Sequence, residues 1–282
     1  MNIVNPYGFP GSYYRVQLHC HTNVSDGALS LAQAVDMYRS RGFSILCITD
    51  HNRITDVSGL TDADMLVLPG AERVVSRFIW PLGRHLIRLG KHTDLRKVAD
   101  CREMPGVAIA AHPTWAGNLG SGEWTVSDML KYKGVSIMEV RNPHSSPQAD
   151  MNRWLEALLA RGPEAPLWGA AVDDMHNPNQ VGYGWVEVKM QRLEADEFIT
   201  ALCRGSFYMS RALEADFNVK DGCIVAGSGR AVRLVCSDAS GCVRAEAAGS
   251  LEYRPQGDET FLIVQCYDEQ GGWACSQPFR IT

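Results

Sequence analysis

Between about Tyr13 and Ser210 the hydrophobic positions fall into short, near-continuous runs. These are Tyr14–Leu18, Phe43–Thr49, Met65–Leu68, Val107–Ala111, Val135–Val140, Leu167–Val172 and Trp185–Met190. Runs of this length without a polar face are expected of parallel strands covered on both sides. Helical patterns lie between them. Ser30-x-x-Gln33 reads as a capping box opening a helix that stops at Gly42. Met151–Ala160 gathers Leu155, Leu158 and Leu159 on one face before Gly162, and Ala195–Cys203 is a third helix. This βαβα rhythm predicts an α/β protein, either a barrel or a doubly wound sheet. From about Leu213 the pattern changes to short β runs, the last spanning Trp273–Thr282, separated by turns such as Ser228-Gly229 and Glu269-Gln270-Gly271-Gly272. The chain is therefore expected to divide into an α/β domain, residues 1–212, and a small antiparallel β domain, residues 213–282.

Composition narrows this picture only slightly. A length of 282 residues allows one large core with a small appendage, and 45% hydrophobic with 21% charged residues is ordinary for a soluble chain. The net charge of −5 forces no basic face, so nucleic acid larger than a small nucleotide is not an expected partner. No secretory signal or membrane-length apolar stretch is evident, which predicts a cytoplasmic protein without a membrane partner. Nine scattered cysteines lack CxxC spacing and are expected to be buried thiols.

The chemistry lies where the strands end. His19 and His21 follow the first run, Asp50-His51 the second and Glu72 the third. His112 follows VAIAA, and Asp174-x-His176 follows LWGAAV. In a barrel of parallel strands such ends converge on one face. Residues i and i+2 of an extended segment point the same way, so each H-x-H or D-x-H pair can grip one ion. Imidazoles mixed with carboxylates suit Zn, Mn or Fe better than Mg or Ca. His85 lies in the helix-like stretch PLGRHLIRLG, and His92 is assigned to the surface.

The ordered motifs H-x-H-T-x-x-S-D-G, T-D-H-N, G-x-E, A-H-P and D-D-x-H resemble the PHP (polymerase and histidinol phosphatase) family of metal-dependent phosphoesterases over about residues 13–210. The resemblance implies a distorted (β/α)7 TIM-like barrel with a site for two or three divalent transition-metal ions. It implies nine ligands: His19, His21, Asp26, His51, Glu72 as a bridging carboxylate, His85, His112, Asp174 and His176. Asp50 is expected beside His51 as a supporting partner, and the i, i+2 rule favours Asp174 over Asp173 as the ligand.

The expected activity is hydrolysis of a small-molecule phosphate ester, such as a nucleotide or sugar phosphate, by a hydroxide bridging two ions. Asp26, Arg53, Arg141 and His144 are the candidates for substrate binding and proton transfer, with Arg73 a further candidate cation. Hydrolysis of neutral carboxylic or carbamate esters is the alternative. Glu72 and the D-x-H histidine argue against a urease-type amidohydrolase, and an accessory module for a DNA polymerase would need a separate partner.

Overall fold

The computed structural model describes residues 2–75, 83–90, 107–117, 121–165 and 167–282. The elements run β1 (Ile3–Val4), β2 (Ser12–Gln17), α1 (Leu31–Ser40), β3 (Ile45–Ile48), β4 (Leu66–Val75), β5 (Arg84–Leu89), β6 (Val107–Ala110), α2 (Val126–Lys131), β7 (Ile137–Arg141), α3 (Pro147–Arg161), β8 (Trp168–Ala171), β9 (Trp185–Met190), α4 (Ala195–Arg204) and β10 (Phe207–Arg211). There follow β11 (Asp216–Lys220), β12 (Cys223–Gly227), β13 (Arg233–Asp238), β14 (Val243–Ala247), β15 (Ser250–Tyr253), β16 (Phe261–Tyr267), β17 (Trp273–Cys275) and β18 (Phe279–Ile281).

The helices form where their caps dictate. Ser30 accepts from the Gln33 N–H while Gln33 reaches back to the Ser30 N–H, the expected capping box. Helix α3 starts earlier than its apolar stripe implies, because Ser146 caps it and Pro147 fills the first turn, where no N–H is needed. It buries Trp154, Ala157 and Leu158, whereas Leu159 is exposed.

One large mixed sheet has the order β1-β18-β16-β17-β10-β9-β2-β3-β4-β5-β6-β7-β8. Strands β2, β3 and β4 are parallel, as are β6, β7 and β8. The expected regular β/α alternation is interrupted: β5 runs antiparallel to both β4 and β6, and β9 antiparallel to β2. The molecule is a sheet-rich α/β protein with four α-helices among the described residues. The helix-like reading of the stretch around His85 is corrected, since this is β5.

The stretch of sheet from β2 to β8 curls back on itself. Cys20, just past β2, forms a parallel bridge with Met175, just past β8. Gln17 fastens the same junction: its buried Oε1 accepts from the Leu18, His19 and Asp173 N–H groups, and its Nε2 donates to the Gly184 carbonyl. At the free side of β8, the Gln277 amide supplies both hydrogen bonds of Gly169 at 2.7 and 2.8 Å, as a neighbouring strand would. The inner core comprises Val16, Ile45, Cys47, Ile87, Ile109, Ile137, Val172 and Val186, taken from successive strands.

The C-terminal strands are antiparallel, and β11-β12-β15 form a separate sheet. Strand β17 pairs with β10, and β18 with β1. Phe261, Ile263 and Trp273 pack in one cluster with Trp124, Met138, Trp154 and Leu158. The described cysteines are all free thiols, with Cys203 and Cys242 exposed and the rest buried; Cys101 lies outside the described residues. No helix among the described residues is long and apolar enough to cross a membrane.

Candidate metal centre

Nine side chains from seven segments meet at the rim where the parallel strands end. His19 and His21 follow β2, His51 follows β3, Glu72 lies in β4, His112 follows β6, and Asp174 and His176 follow β8. Asp26 arrives on the loop after His21. His85 belongs with them because β5 is reversed: its first residues stand at the rim where its neighbours finish, and Val74 pairs with His85. Every residue expected as a ligand is in this group.

Glu72 is the hub. Its Oε2 lies 3.4 Å from His19 Nε2, 3.2 Å from His21 Nε2 and 3.1 Å from His51 Nδ1. Its Oε1 lies 2.9 Å from His85 Nδ1 and 3.1 Å from His112 Nε2. Asp174 Oδ1 lies 3.1 and 3.3 Å from the Nε2 atoms of His19 and His21, which are themselves 3.0 Å apart. Asp26 stands at an outer corner, 3.4 to 3.5 Å from nitrogens of His21, His51 and His176.

Four groups of donors therefore lie close enough to share a cation: His21 with Asp26, His51 and His176; His19 with His21 and Glu72; His51 with Glu72 and His85; and His144 with Asp174 and His176. Ligand atoms bound at about 2.0–2.1 Å with tetrahedral angles stand about 3.3 Å apart, which matches the separations here. Proton positions agree. His19 Nδ1 lies 2.8 Å from Glu139 Oε1, a carboxylate that can only accept its proton, which leaves Nε2 as the ring atom turned toward His21, Glu72 and Asp174. His21 Nδ1 and His112 Nδ1 are buried without a hydrogen bond among the described residues. A buried carboxylate array among imidazole nitrogens is a setting that suits a cation.

Before an ion binds, protons take its place. Burial alone would depress His19 and His21, but Asp174, Glu139 and Glu72 hold His19 well above the ordinary histidine range, and Asp174 and Glu72 hold His21 up to about 9. Burial would raise Glu72 and Asp174, yet the imidazoles hold both far below the carboxylate range. Asp26, despite partial burial, is lowered by His176, His21 and His51. His51, for which burial dominates, is lowered, whereas Glu72 raises His112 against its burial.

The sign of the pH dependence follows. The His21 proton stabilises the metal-free fold fully below about pH 6.5, the ordinary histidine value, and that contribution disappears as pH rises through about 9. Metal must displace the same proton, so affinity is expected to increase steadily from pH 6.5 toward pH 9, with proton release. Calorimetric titration with Zn2+ in two buffers of different ionisation enthalpy measures both; an affinity that falls over this range contradicts the assignment.

Neighbouring residues aim the donors. Glu139 also accepts from the His112 N–H at 2.6 Å and from Asn142 Nδ2 at 2.7 Å, and Asn142 in turn reaches Asp174 Oδ2. The motifs gave no sign of Glu139 or Asn142; a lone carboxylate inside the apolar run Val135–Val140 was the available signal. Trp115 packs on the rings of His85 and His112. Two donors sit on left-handed backbone, His112 at φ 28° and Asp174 at φ 44°. Such conformations persist in non-glycine residues only when their surroundings enforce them.

Asp50 proves to be a loop anchor. It accepts from the Thr22 N–H and from the hydroxyls of Thr22, Ser25 and Thr55, fixing the turn that carries Asp26. Asp173 takes no part in the cluster: Tyr38 Oη and the Gly182 and Gly184 N–H groups donate to it, while burial pushes it up to about 6. Gly27 lets the Asp26 turn lie against the preceding segment. A Cβ there would meet His21 O at 2.5 Å and His21 C at 2.6 Å, both backbone atoms. Gly27→Ala is expected to displace Asp26 and weaken the outermost ion about 10–100-fold, leaving the Glu72 groups loaded. Metal counting by plasma emission against free-metal concentration tests this.

The remaining candidates lie around this group. Arg53 is exposed and donates to the Val24 carbonyl beside the Asp26 turn. Arg73 follows Glu72 on β4, where alternation turns it to the other face. Arg141, at the end of β7, donates from Nε to the Tyr183 carbonyl and stacks 4.7 Å from that ring. His144 is exposed beside His176. Gln180 Oε1 accepts from the His176 and Asn177 N–H groups, and its Nε2 stands 3.1 Å from His144 Nε2, which also lies 3.3 Å from the Asp174 carbonyl. His92 lies outside the described residues.

No family profile matches the chain, and no curated protein matches it significantly in sequence. Among solved structures, a two-domain protein from Bacteroides vulgatus ATCC 8482, described as containing a predicted PHP-like metal-dependent phosphoesterase, superposes with a TM-score of 0.51 at 12% identity over 98% of this chain and 90% of the other. An amidohydrolase from Chromobacterium violaceum, with bound sulfate and no metal, gives a TM-score of 0.43 at 16% identity over 58% and 88%. A protein from Bifidobacterium adolescentis ATCC 15703, provisionally named a metal-dependent phosphoesterase, gives 0.42 at 14% over 67% and 96%. The chain shares its fold with the first of these.

Proposed function

We propose that the chain is a metal-dependent phosphoesterase of the PHP type acting on a small-molecule phosphate ester. We read its curled sheet as a distorted (β/α)7 barrel and residues 213–282 as an appended β domain. The observation that carries the reading is the shared Glu72, with three imidazole nitrogens within 3.4 Å of one oxygen and two within 3.1 Å of the other. His19, His21, Glu72 and Asp174 would hold one ion; Glu72, His85 and His112 a second; and Asp26, His51 and His176 a third.

Bound ions of the Zn, Mn or Fe type supply an activated water and offset charge on a phosphoryl group. The chain's own residues set the frame. Glu139 fixes the His19 tautomer, Asn142 steadies Asp174, and Asp50 holds the Asp26 turn. His144, at the edge of the site beside His176, is the candidate for proton transfer to a departing oxygen. Arg53, beside the Asp26 turn, and Arg141, at the end of β7, are the candidate cations for an anionic substrate.

Elemental analysis of the purified protein, joined to phosphate release from nucleotides and sugar phosphates and to a panel of carbamate and carboxylic esters, tests the reading. Two or three transition metals per chain with phosphate release are expected. Turnover confined to the neutral esters would overturn the substrate class, and protein that takes up no metal would overturn the mechanism.

A further inference from the structure

We propose that a cavity of about 340 Å³ between the end of β7, the first turn of α3 and the β16–β17 hairpin binds a planar organic anion, the non-reacting half of the substrate. This deepens the phosphoesterase reading and rests on it. The cavity has a cation without a counter-charge. Arg141 lines it, is half-buried, and has no carboxylate partner among the described residues; its contacts are the Tyr183 carbonyl and the rings of Tyr183 and Trp273. Burial, with the like charge of Arg211, lowers its pKa, the direction an anion would reverse. The one acid lining the cavity is already spoken for. Asp268 accepts from Arg230 at 2.8 Å and from the Gln270 and Gly272 N–H groups.

Other donors converge on the same space. Gln265 Oε1 accepts from Tyr267 Oη at 3.0 Å and Trp273 Nε1 at 3.1 Å, so the Gln265 amide N–H groups remain for an occupant. Gln148, in the first turn of the fifteen-residue helix α3, brings the positive end of that helix to the wall. Trp273, Tyr267 and Met151 provide flat and adaptable apolar surface for a ring. The volume is at the small end of ligand sites, about the room for one ring and its charged substituent. Asn142, the residue after Arg141 at the end of β7, donates to Asp174, so the cavity and the metal rim draw on the same strand end.

The cavity is tested by calorimetric titration of the whole, metal-stripped protein with benzoate and, as uncharged control, benzamide. Benzoate is expected to bind with Kd near or below about 1 mM and benzamide at least about tenfold more weakly. Arg141→Gln, and Gln265→Glu, which keeps the acceptor for Tyr267 and Trp273 while repelling an anion, should each weaken benzoate at least about tenfold. Absence of benzoate binding, or binding indifferent to both variants, overturns the site.

Its assignment to substrate is tested on the metal-loaded protein with phenyl phosphate and 4-carboxyphenyl phosphate. The kcat/KM ratio is expected to favour the carboxylate about tenfold or more, and the preference to collapse in Arg141→Gln. A ratio near one alongside intact benzoate binding overturns the assignment to substrate. Failure to hydrolyse either ester would count against the phosphoesterase reading, with the benzoate result still deciding the cavity.

Discussion

Glu72→Gln is expected to reduce bound metal to one ion or fewer per chain and to lower hydrolysis by at least about 10³-fold, the largest effect of any single substitution here. The carboxylate offers a charged oxygen to His19, His21 and His51 on one side and to His85 and His112 on the other. An amide of the same shape offers one neutral oxygen and an N–H pair that cannot face an ion. Two donor groups fail together, whereas losing His176 or Asp26 alone removes a corner. Near-ultraviolet circular dichroism checks that the fold survives, and metal counting with initial rates reads the effect. Full metal content or undiminished turnover in this variant would show that Glu72 is not shared.

Deletion of residues 213–282 is expected to leave no cooperatively folded protein, so that the remainder collects in the insoluble fraction. Strand β10 would lose β17 along Met209, Ser210 and Arg211, leaving an apolar strand with an open edge. Tyr7 would lose Phe217, Phe279 and the Gln277 N–H that donates to its oxygen. The cluster around Trp124 and Trp154 would lose Phe261, Ile263 and Trp273. At about 1.5–3 kcal/mol for each large side chain exposed, these losses exceed the whole stability of an ordinary domain once the Tyr7 cluster is included. A soluble 1–212 fragment with a sharp thermal transition would refute the expectation.

The site was more legible than the scaffold that holds it. His19, His21, His51, Glu72, His112, Asp174 and His176 were readable because each follows or ends an apolar run, and strand ends have only one rim to share. His85 was readable only through the family resemblance. Its own stretch looks helical until β4 and β6 are known to flank it, and a reversed strand then delivers its first residues to that rim. Glu139 and Asn142 were missed because their importance lies in contacts to residues 27 to 120 positions away, which no local pattern records. Asp50 looked like a companion of His51 through adjacency alone, yet its hydrogen bonds go to Thr22, Ser25 and Thr55. Strand β11 escaped because Asp216-Phe217-Asn218-Val219-Lys220 is a short, largely polar run.

Gln277 carries a consequence for how the molecule comes into being. The amide that completes the edge of β8 lies 108 positions after Gly169, so during synthesis that edge waits, unpartnered, for several seconds at ordinary elongation rates. Contacts of such sequence separation form late and slow the final step of folding. A ribosome-stalled chain ending before Gln277 should therefore be unusually sensitive to added protease around Gly169, and release of the finished chain should abolish that sensitivity.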